Sequence, residues 1–228
     1  MLPINDTEPN RYSFFPFTTF LLIAVNVSIH ILVTAFVQRT WTFYMLFGLT
    51  PYLVTHASGP GVVSNFTSIF LHGDWSHLLF NMLPLWVFGR RVEDACGPWR
   101  FLAFYLLAGT SANLLFTLVL HDKLLPGIGA SGAIFGVMGA YLLLYPSGRI
   151  RTFVMIIPFV PLWPRIRALW VVLYFVGAQI IPAIVVLLTH ESYSVNHWAH
   201  LGGFFSSIFI LLFIRPEAYA RYLSDTLV

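Results

Sequence analysis

The sequence predicts an all-α membrane protein of six transmembrane helices with a partly membrane-embedded first loop, and three observations carry that prediction. Of its 228 residues, 58% are hydrophobic and only 9% charged, with a mean hydropathy of +0.79; so little polar surface cannot cover a water-soluble globule. Apolar runs close to the ~20 residues that cross ~30 Å of hydrocarbon recur between short polar turns. The Lys and Arg residues, 12 in all, segregate to alternate connections, as the positive-inside rule requires.

The first span runs from Phe17 to Val37. Before it lie Asp6, Glu8 and a single basic residue, Arg11, with no small-residue cleavage site after the apolar run. A signal anchor that stays in the chain is expected. Gln38 to Asp74 is rich in aromatics but broken by Pro51 and Gly59-Pro60-Gly61. It is too interrupted to span and too apolar for a solvated loop, so a re-entrant or interfacial segment is expected. The second span covers Trp75 to Val92, the third Phe101 to Leu120, the fourth Ser131 to Tyr145, the fifth Ala168 to Leu188 and the sixth Val195 to Ile214. This divides the chain into a cytoplasmic tail (1–16), a six-helix domain (17–214) and a second cytoplasmic tail (215–228).

With a cytoplasmic N-terminus, that side receives Arg11, Arg90, Arg91, Arg100, Arg149, Arg151, Arg165, Arg167, Arg215 and Arg221, and the other side keeps only Arg39 and Lys123. Both termini are therefore expected in the cytoplasm, and the start of the fourth span faces outward. The basic residues are scattered rather than gathered in a stripe, which argues against a nucleic-acid partner. The single Cys96 forms no internal disulfide, and no Cys/His spacing suits a metal. No cofactor is expected.

The fourth span has about fifteen residues, giving ~22 Å at ~1.5 Å per residue against ~30 Å of hydrocarbon. Pro146 to Arg151 pin its cytoplasmic end, so the deficit falls outward and Ser131 is expected below the outer surface. The preceding Leu124-Leu125-Pro126-Gly127-Ile128 must then descend as non-helical backbone, tolerated at that depth only inside protein or beside a wet cavity.

Polar side chains are costly in a bilayer, so their convergence is informative. His77 and Asn81 stand at i, i+4 near the outer end of the second span, His72 just before them, and His200 near the outer end of the sixth. All share the expected depth of Ser131. Taken singly, Ser131 reads as a small residue of a helix contact, His200 as an interhelical donor, and His77 and Asn81 as polar glue. Together they read as chemistry. Ser131 is a weak nucleophile that needs a base, and His200 is the available one. The oxyanion formed on attack needs fixed donors, supplied by the Ser131 backbone N–H, the Asn81 amide and the His77 ring. No Asp or Glu lies at this level, so a Ser-His dyad is expected rather than a triad. Gly127 and Gly129 serve the descent and backbone access to the oxyanion, and Gly132 and Gly136 face Gly203 for close helix approach. Phe135, one turn from Ser131, is placed to stack on His200.

Three strings carry a resemblance. Gly129-Ala130-Ser131-Gly132, His72 through His77 to Asn81, and Ala199-His200-Leu201-Gly202-Gly203 match GxSG, HxxxxHxxxN and AHxxG in order. From about Asn65 to the end of the sixth span the chain resembles the rhomboid family of intramembrane serine proteases. The resemblance implies a rhomboid-like bundle, Ser131 as nucleophile, His200 as base, and His77 and Asn81 in the oxyanion hole. It further implies that His72 supports the outer loop and that Glu93, within Gly89 to Gly97 (similar to GxxxExxxG), is a structural hydrogen-bonder. The implied partners are transmembrane protein substrates within the lipid bilayer, entering between the second and fifth helices, with the site open to the extracytoplasmic side. Two departures stand out: Ser207 replaces a second glycine on the sixth helix, and the first loop lacks a recognisable Trp-Arg pair.

Competing readings are weaker. A non-proteolytic relative would lack the serine or the histidine. A channel would carry its polar groups on to the cytoplasmic side. A zinc protease would need H-E-x-x-H, which His190-Glu191-Ser192-Tyr193-Ser194 does not supply.

Overall fold

A computed structural model describes residues 1–7, 15–38, 40–56, 61–157, 160–189, 195–215 and 217. Arg11, Arg39 and Arg221 of the charge count, Gly59-Pro60 of the first loop, His190-Glu191 and most of the expected 215–228 tail lie outside the described residues.

In chain order the elements are β1 (Leu2–Asp6), α1 (Phe17–Phe36), α2 (Thr40–Phe47), α3 (Pro51–Thr55), α4 (Gly61–Thr67), α5 (Trp75–Pro84), α6 (Arg90–Cys96), α7 (Pro98–Val119), α8 (Ser131–Leu144), β2 (Arg149–Ile157), β3 (Val160–Leu162), β4 (Arg165–Arg167), α9 (Ala168–Thr189) and α10 (His197–Ile214). Four helices, α1, α7, α9 and α10, are each long and apolar enough to cross a bilayer. The protein is a mostly helical integral membrane protein.

Helices α5 and α6 belong to one helical run, joined by a π-helical turn at Leu85–Gly89. Pro84 closes α5; its ring nitrogen cannot donate to the carbonyl four residues back, and the ladder loosens there. The short α8 is apolar all round, and from Gly132 to Tyr141 every residue is buried, as suits a helix ringed by others. The core lies around it, where Phe88, Phe101, Phe104, Tyr105 and Tyr141 are fully buried. Large apolar side chains on the outer flanks, including Phe20 and Phe36 of α1, Ile181 and Leu188 of α9, and Phe209 and Phe213 of α10, are exposed and suited to lipid.

Small residues set the spacing at the centre. A Cβ on Gly136 would come 2.6 Å from Ala108 Cβ of α7 and 3.1 Å from the Gly203 carbonyl of α10, and one on Gly203 would come 1.9 Å from the Gly132 carbonyl. Ser207 sits against Gly139, so the departure from glycine is absorbed by a glycine on the facing helix.

The sequence did not foretell a sheet. Strands β1, β3 and β4 all pair antiparallel with the long β2, closing the end of the bundle opposite Ser131. Leu2–Asp6, within the expected 1–16 tail, is thus an ordered strand. Asp6 pairs with Arg91 at 2.7 Å, and both side chains are buried.

Glu93 fastens α1 to α6. Its carboxylate accepts the backbone N–H of Thr18 at 2.7 Å and of Thr19 at 2.8 Å, and the Thr19 hydroxyl at 2.7 Å. Those are first-turn N–H groups with no partner inside their helix. Glu93→Ala is expected to cost about 3 kcal/mol, since charge-assisted bonds are lost and buried donors left unmet. Thermal unfolding in detergent micelles measures it, and an unchanged midpoint would contradict the anchoring role.

Candidate active site

Ser131 opens α8 at its first helical position, where its backbone N–H has no acceptor within the helix and sits at the positive end of the helix dipole. The descent before it is tied down. Gly127 and Leu49 exchange both backbone hydrogen bonds, at 2.8 and 2.9 Å, and the Gly129 N–H donates to the Ser68 carbonyl at 2.9 Å. Part of the non-helical backbone before Ser131 is therefore satisfied within the protein.

Helix α10 brings His200 across. Its Nε2 lies 2.7 Å from Ser131 Oγ, and its ring stacks on Phe135 with centroids 4.5 Å apart and planes 7° from parallel. His200 and Phe135 are buried, and Ser131 is half-buried. The three sequence-predicted residues are thus brought together.

Helix α5 supplies the opposite wall. Asp74 caps it by accepting the His77 backbone N–H at 2.8 Å. The Ser76 hydroxyl, followed by that N–H, holds the Asp74 carboxyl below its usual value. A lowered acid pKa means that this cap is in place above the ordinary carboxylate range and is lost only as the pH falls through the depressed value; it therefore persists at neutral pH. The Gly73 N–H donates to His77 Nδ1 over a long 3.4 Å, which leaves the hydrogen on Nε2. That Nε2–H faces Gly129, where a Cβ would come 2.8 Å from it and 3.7 Å from Asn81 Nδ2. Gly129 also has φ +127°, a region that favours glycine. Asn81 Nδ2 is buried without a hydrogen-bond partner. Such an orphan donor costs about 1–3 kcal/mol.

A cavity of about 600 Å³ joins these walls, lined by His77 and Asn81 of α5, Ser131 and Phe135 of α8, Gln179 of α9 and His200 of α10. A smaller cavity of about 20 Å³ lies behind Ser131, between Ser68, Asn113 and Asn196; its volume suits one water.

The remaining candidates take structural places. His72 is buried, packs edge-on against His77 with centroids 5.1 Å apart, and its carbonyl accepts the Tyr44 hydroxyl at 2.8 Å. Gly132 and Gly203 make the α8–α10 contact, and Glu93 of α6 lies at the far end, bonded to the first turn of α1. Sequence reasoning missed the anchors of the first loop. Besides Tyr44, Asn113 of α7 donates to the Asn65 carbonyl at 2.8 Å and to the Ser68 hydroxyl at 2.9 Å. Gln179 and His197, both bonded near His200, were also missed. The signal for Gln179 was available: it is the one amide in an otherwise apolar span. Among the described residues no cluster of His, Cys, Asp and Glu suits a metal ion.

A serine hydroxyl thus lies against an imidazole at the end of a short helix at the centre of an apolar helical bundle. A family profile for the Rhomboid domain matches residues 60–217, and the chain belongs to the rhomboid family. It is 30% identical over 145 residues to Rhomboid-like protein 11, chloroplastic, of Arabidopsis thaliana, covering 60% of this chain and 47% of that protein. It is 35% identical over 100 residues to Rhomboid protein 1, mitochondrial, of Saccharomyces cerevisiae (42% of this chain, 29% of that protein). It is 45% identical over 83 residues to Rhomboid protease GluP of Bacillus subtilis (36% and 16%). In each case the match covers less than half of the relative's length.

Proposed function

We propose that this protein is an intramembrane serine endopeptidase that hydrolyses peptide bonds in or beside transmembrane segments of other membrane proteins. The observation that carries the reading is the 2.7 Å approach of His200 Nε2 to Ser131 Oγ, beside the unpartnered Asn81 amide.

In this reading His200 takes the Ser131 proton as Oγ attacks the scissile carbonyl, then passes it to the leaving amine. The oxyanion lies between the Ser131 N–H, Asn81 Nδ2 and His77 Nε2–H. Water then enters, is deprotonated by His200 and releases the acyl group. A substrate helix must unwind locally, since its scissile bond is otherwise shielded, and a water-filled cavity satisfies the backbone groups it frees. Entry lies between α5 and α9. The run from α5 to α6 and the short α8 complete six spans with α1, α7, α9 and α10. Both termini are cytoplasmic and the site opens to the extracytoplasmic side, with 1–16 and 215–228 flanking a 17–214 domain.

Labelling with a serine-directed phosphonate tests the assignment. The detergent-solubilised protein is expected to be labelled at Ser131 and Ser131→Ala to remain unlabelled; equal labelling of the two would sink it. Asn81→Ala is expected to lower kcat on a transmembrane reporter by ~10²–10³ while binding persists. Unchanged turnover would remove Asn81 from the oxyanion hole.

A further inference from the structure

The second nitrogen of His200 has a partner on α9. Nδ1 lies 2.9 Å from Gln179 Oε1, and the same oxygen lies 2.7 Å from Nδ1 of His197. Which end of the amide faces the two rings follows from its other bond. Gln179 Nε2 donates to the Phe175 carbonyl at 3.1 Å, and the reversed amide would set two acceptors against each other. A carbonyl oxygen only accepts, so each Nδ1 facing it carries a hydrogen. His200 is then the tautomer with a free lone pair on Nε2, the atom that faces Ser131 Oγ.

We infer that Gln179 is a positioning residue for the proposed base, its amide oxygen fixing the tautomer and rotation of the His200 ring where serine hydrolases with three-membered sites use a carboxylate. The inference rests on the Ser-His reading given above. Phe135 holds the plane of the ring from one face, and Gln179 fixes its rotation within that plane. The two constraints come from different helices, α8 and α9. As the imidazole takes up a proton, the Nδ1–H bond strengthens, because the donor becomes cationic. An amide dipole aids this less than a full charge does.

Two substitutions separate positioning from packing. Gln179→Leu fills similar volume without an acceptor and frees the ring to adopt the other tautomer. Its kcat is expected to fall by about 10- to 100-fold, short of the ~10⁴ that follows mis-set tautomers at carboxylate-supported sites, with KM nearly unchanged and Ser131 phosphonylation slowed in step. Gln179→Glu keeps the acceptor and adds charge. The acidic limb of its kcat/KM profile is expected to move upward by about one pH unit or more, since a neighbouring carboxylate favours the imidazolium. A packing role would move neither the limb nor the split between kcat and KM. Wild-type kcat and labelling in Gln179→Leu, or an unmoved acidic limb in Gln179→Glu, would overturn the inference. If Gln179→Leu fails to fold, the Gln179→Glu profile decides alone. A wild-type chain that neither labels at Ser131 nor cleaves defeats the Ser-His reading itself; a labelled wild type with indifferent Gln179 variants defeats only the role of Gln179.

Discussion

Replacing His200 by alanine in a chain that already lacks the Ser131 hydroxyl is expected to cost no further activity. Each single substitution, Ser131→Ala or His200→Ala, should lower kcat on a transmembrane reporter by roughly 10⁴–10⁶, and the double variant should match the worse single one. The reason is geometric. At 2.7 Å the two groups share one proton path: without the base the hydroxyl stays protonated and weakly nucleophilic, and without the hydroxyl the base has no proton to take. Rates measured on the three variants under one condition decide the point. Multiplied losses would mean that the two side chains act separately, and the dyad would have to be abandoned.

Gly203→Ala is expected to reduce kcat by at least about 10²-fold without touching either reactive group. The new methyl carbon would sit 1.9 Å from the Gly132 carbonyl oxygen and 2.8 Å from its carbon. Both are backbone atoms at the start of a buried helix, so neither yields as a flexible side chain does. Helix α10 must move outward, carrying with it His200, one turn back on the same face. An ångström there lengthens the Nε2–Oγ bond past useful range. Overpacking should also destabilise the fold by about 1–3 kcal/mol. Gly177→Ala on α9 is the control: a Cβ there meets nothing within 4 Å, and neither activity nor unfolding should suffer. Phosphonate labelling of Gly203→Ala at the wild-type rate would show that the close contact does not position the histidine.

The parts legible in the sequence were those that the bilayer makes expensive to write otherwise. Hydrocarbon demands long apolar runs, and the expected spans end within a few residues of the observed helices. Ser131 begins both the expected span and α8, and Ala168 both the fifth span and α9. The same cost drew attention to Ser131, His77, Asn81 and His200, because a polar group in lipid needs a reason. Gln179 meets that criterion as well, but its bond to His200 is set by the packing of α9 on α10, which no local pattern shows. What stayed illegible depends on pairing across distance. Nothing local marks Leu2–Asp6 as a strand, with a proline at its second position, because the partner strand is encoded far down the chain. The loop anchors Tyr44 and Asn113 are likewise defined by what they reach, the carbonyls of His72 and Asn65, and not by their own neighbours.

That separation bears on how the protein is made. Thr7 bonds to the Arg149 carbonyl across 142 positions, so β1 is synthesised well before β2 and waits for it. At ribosomal speeds the wait is on the order of ten seconds, during which Pro3 and Asp6, both buried in the finished fold, have no sheet to enter. The helices that present Ser131 can be threaded into the bilayer one after another. The sheet cannot close until β2 has been made, so its closure joins segments translated far apart in time, at the pole of the molecule remote from Ser131.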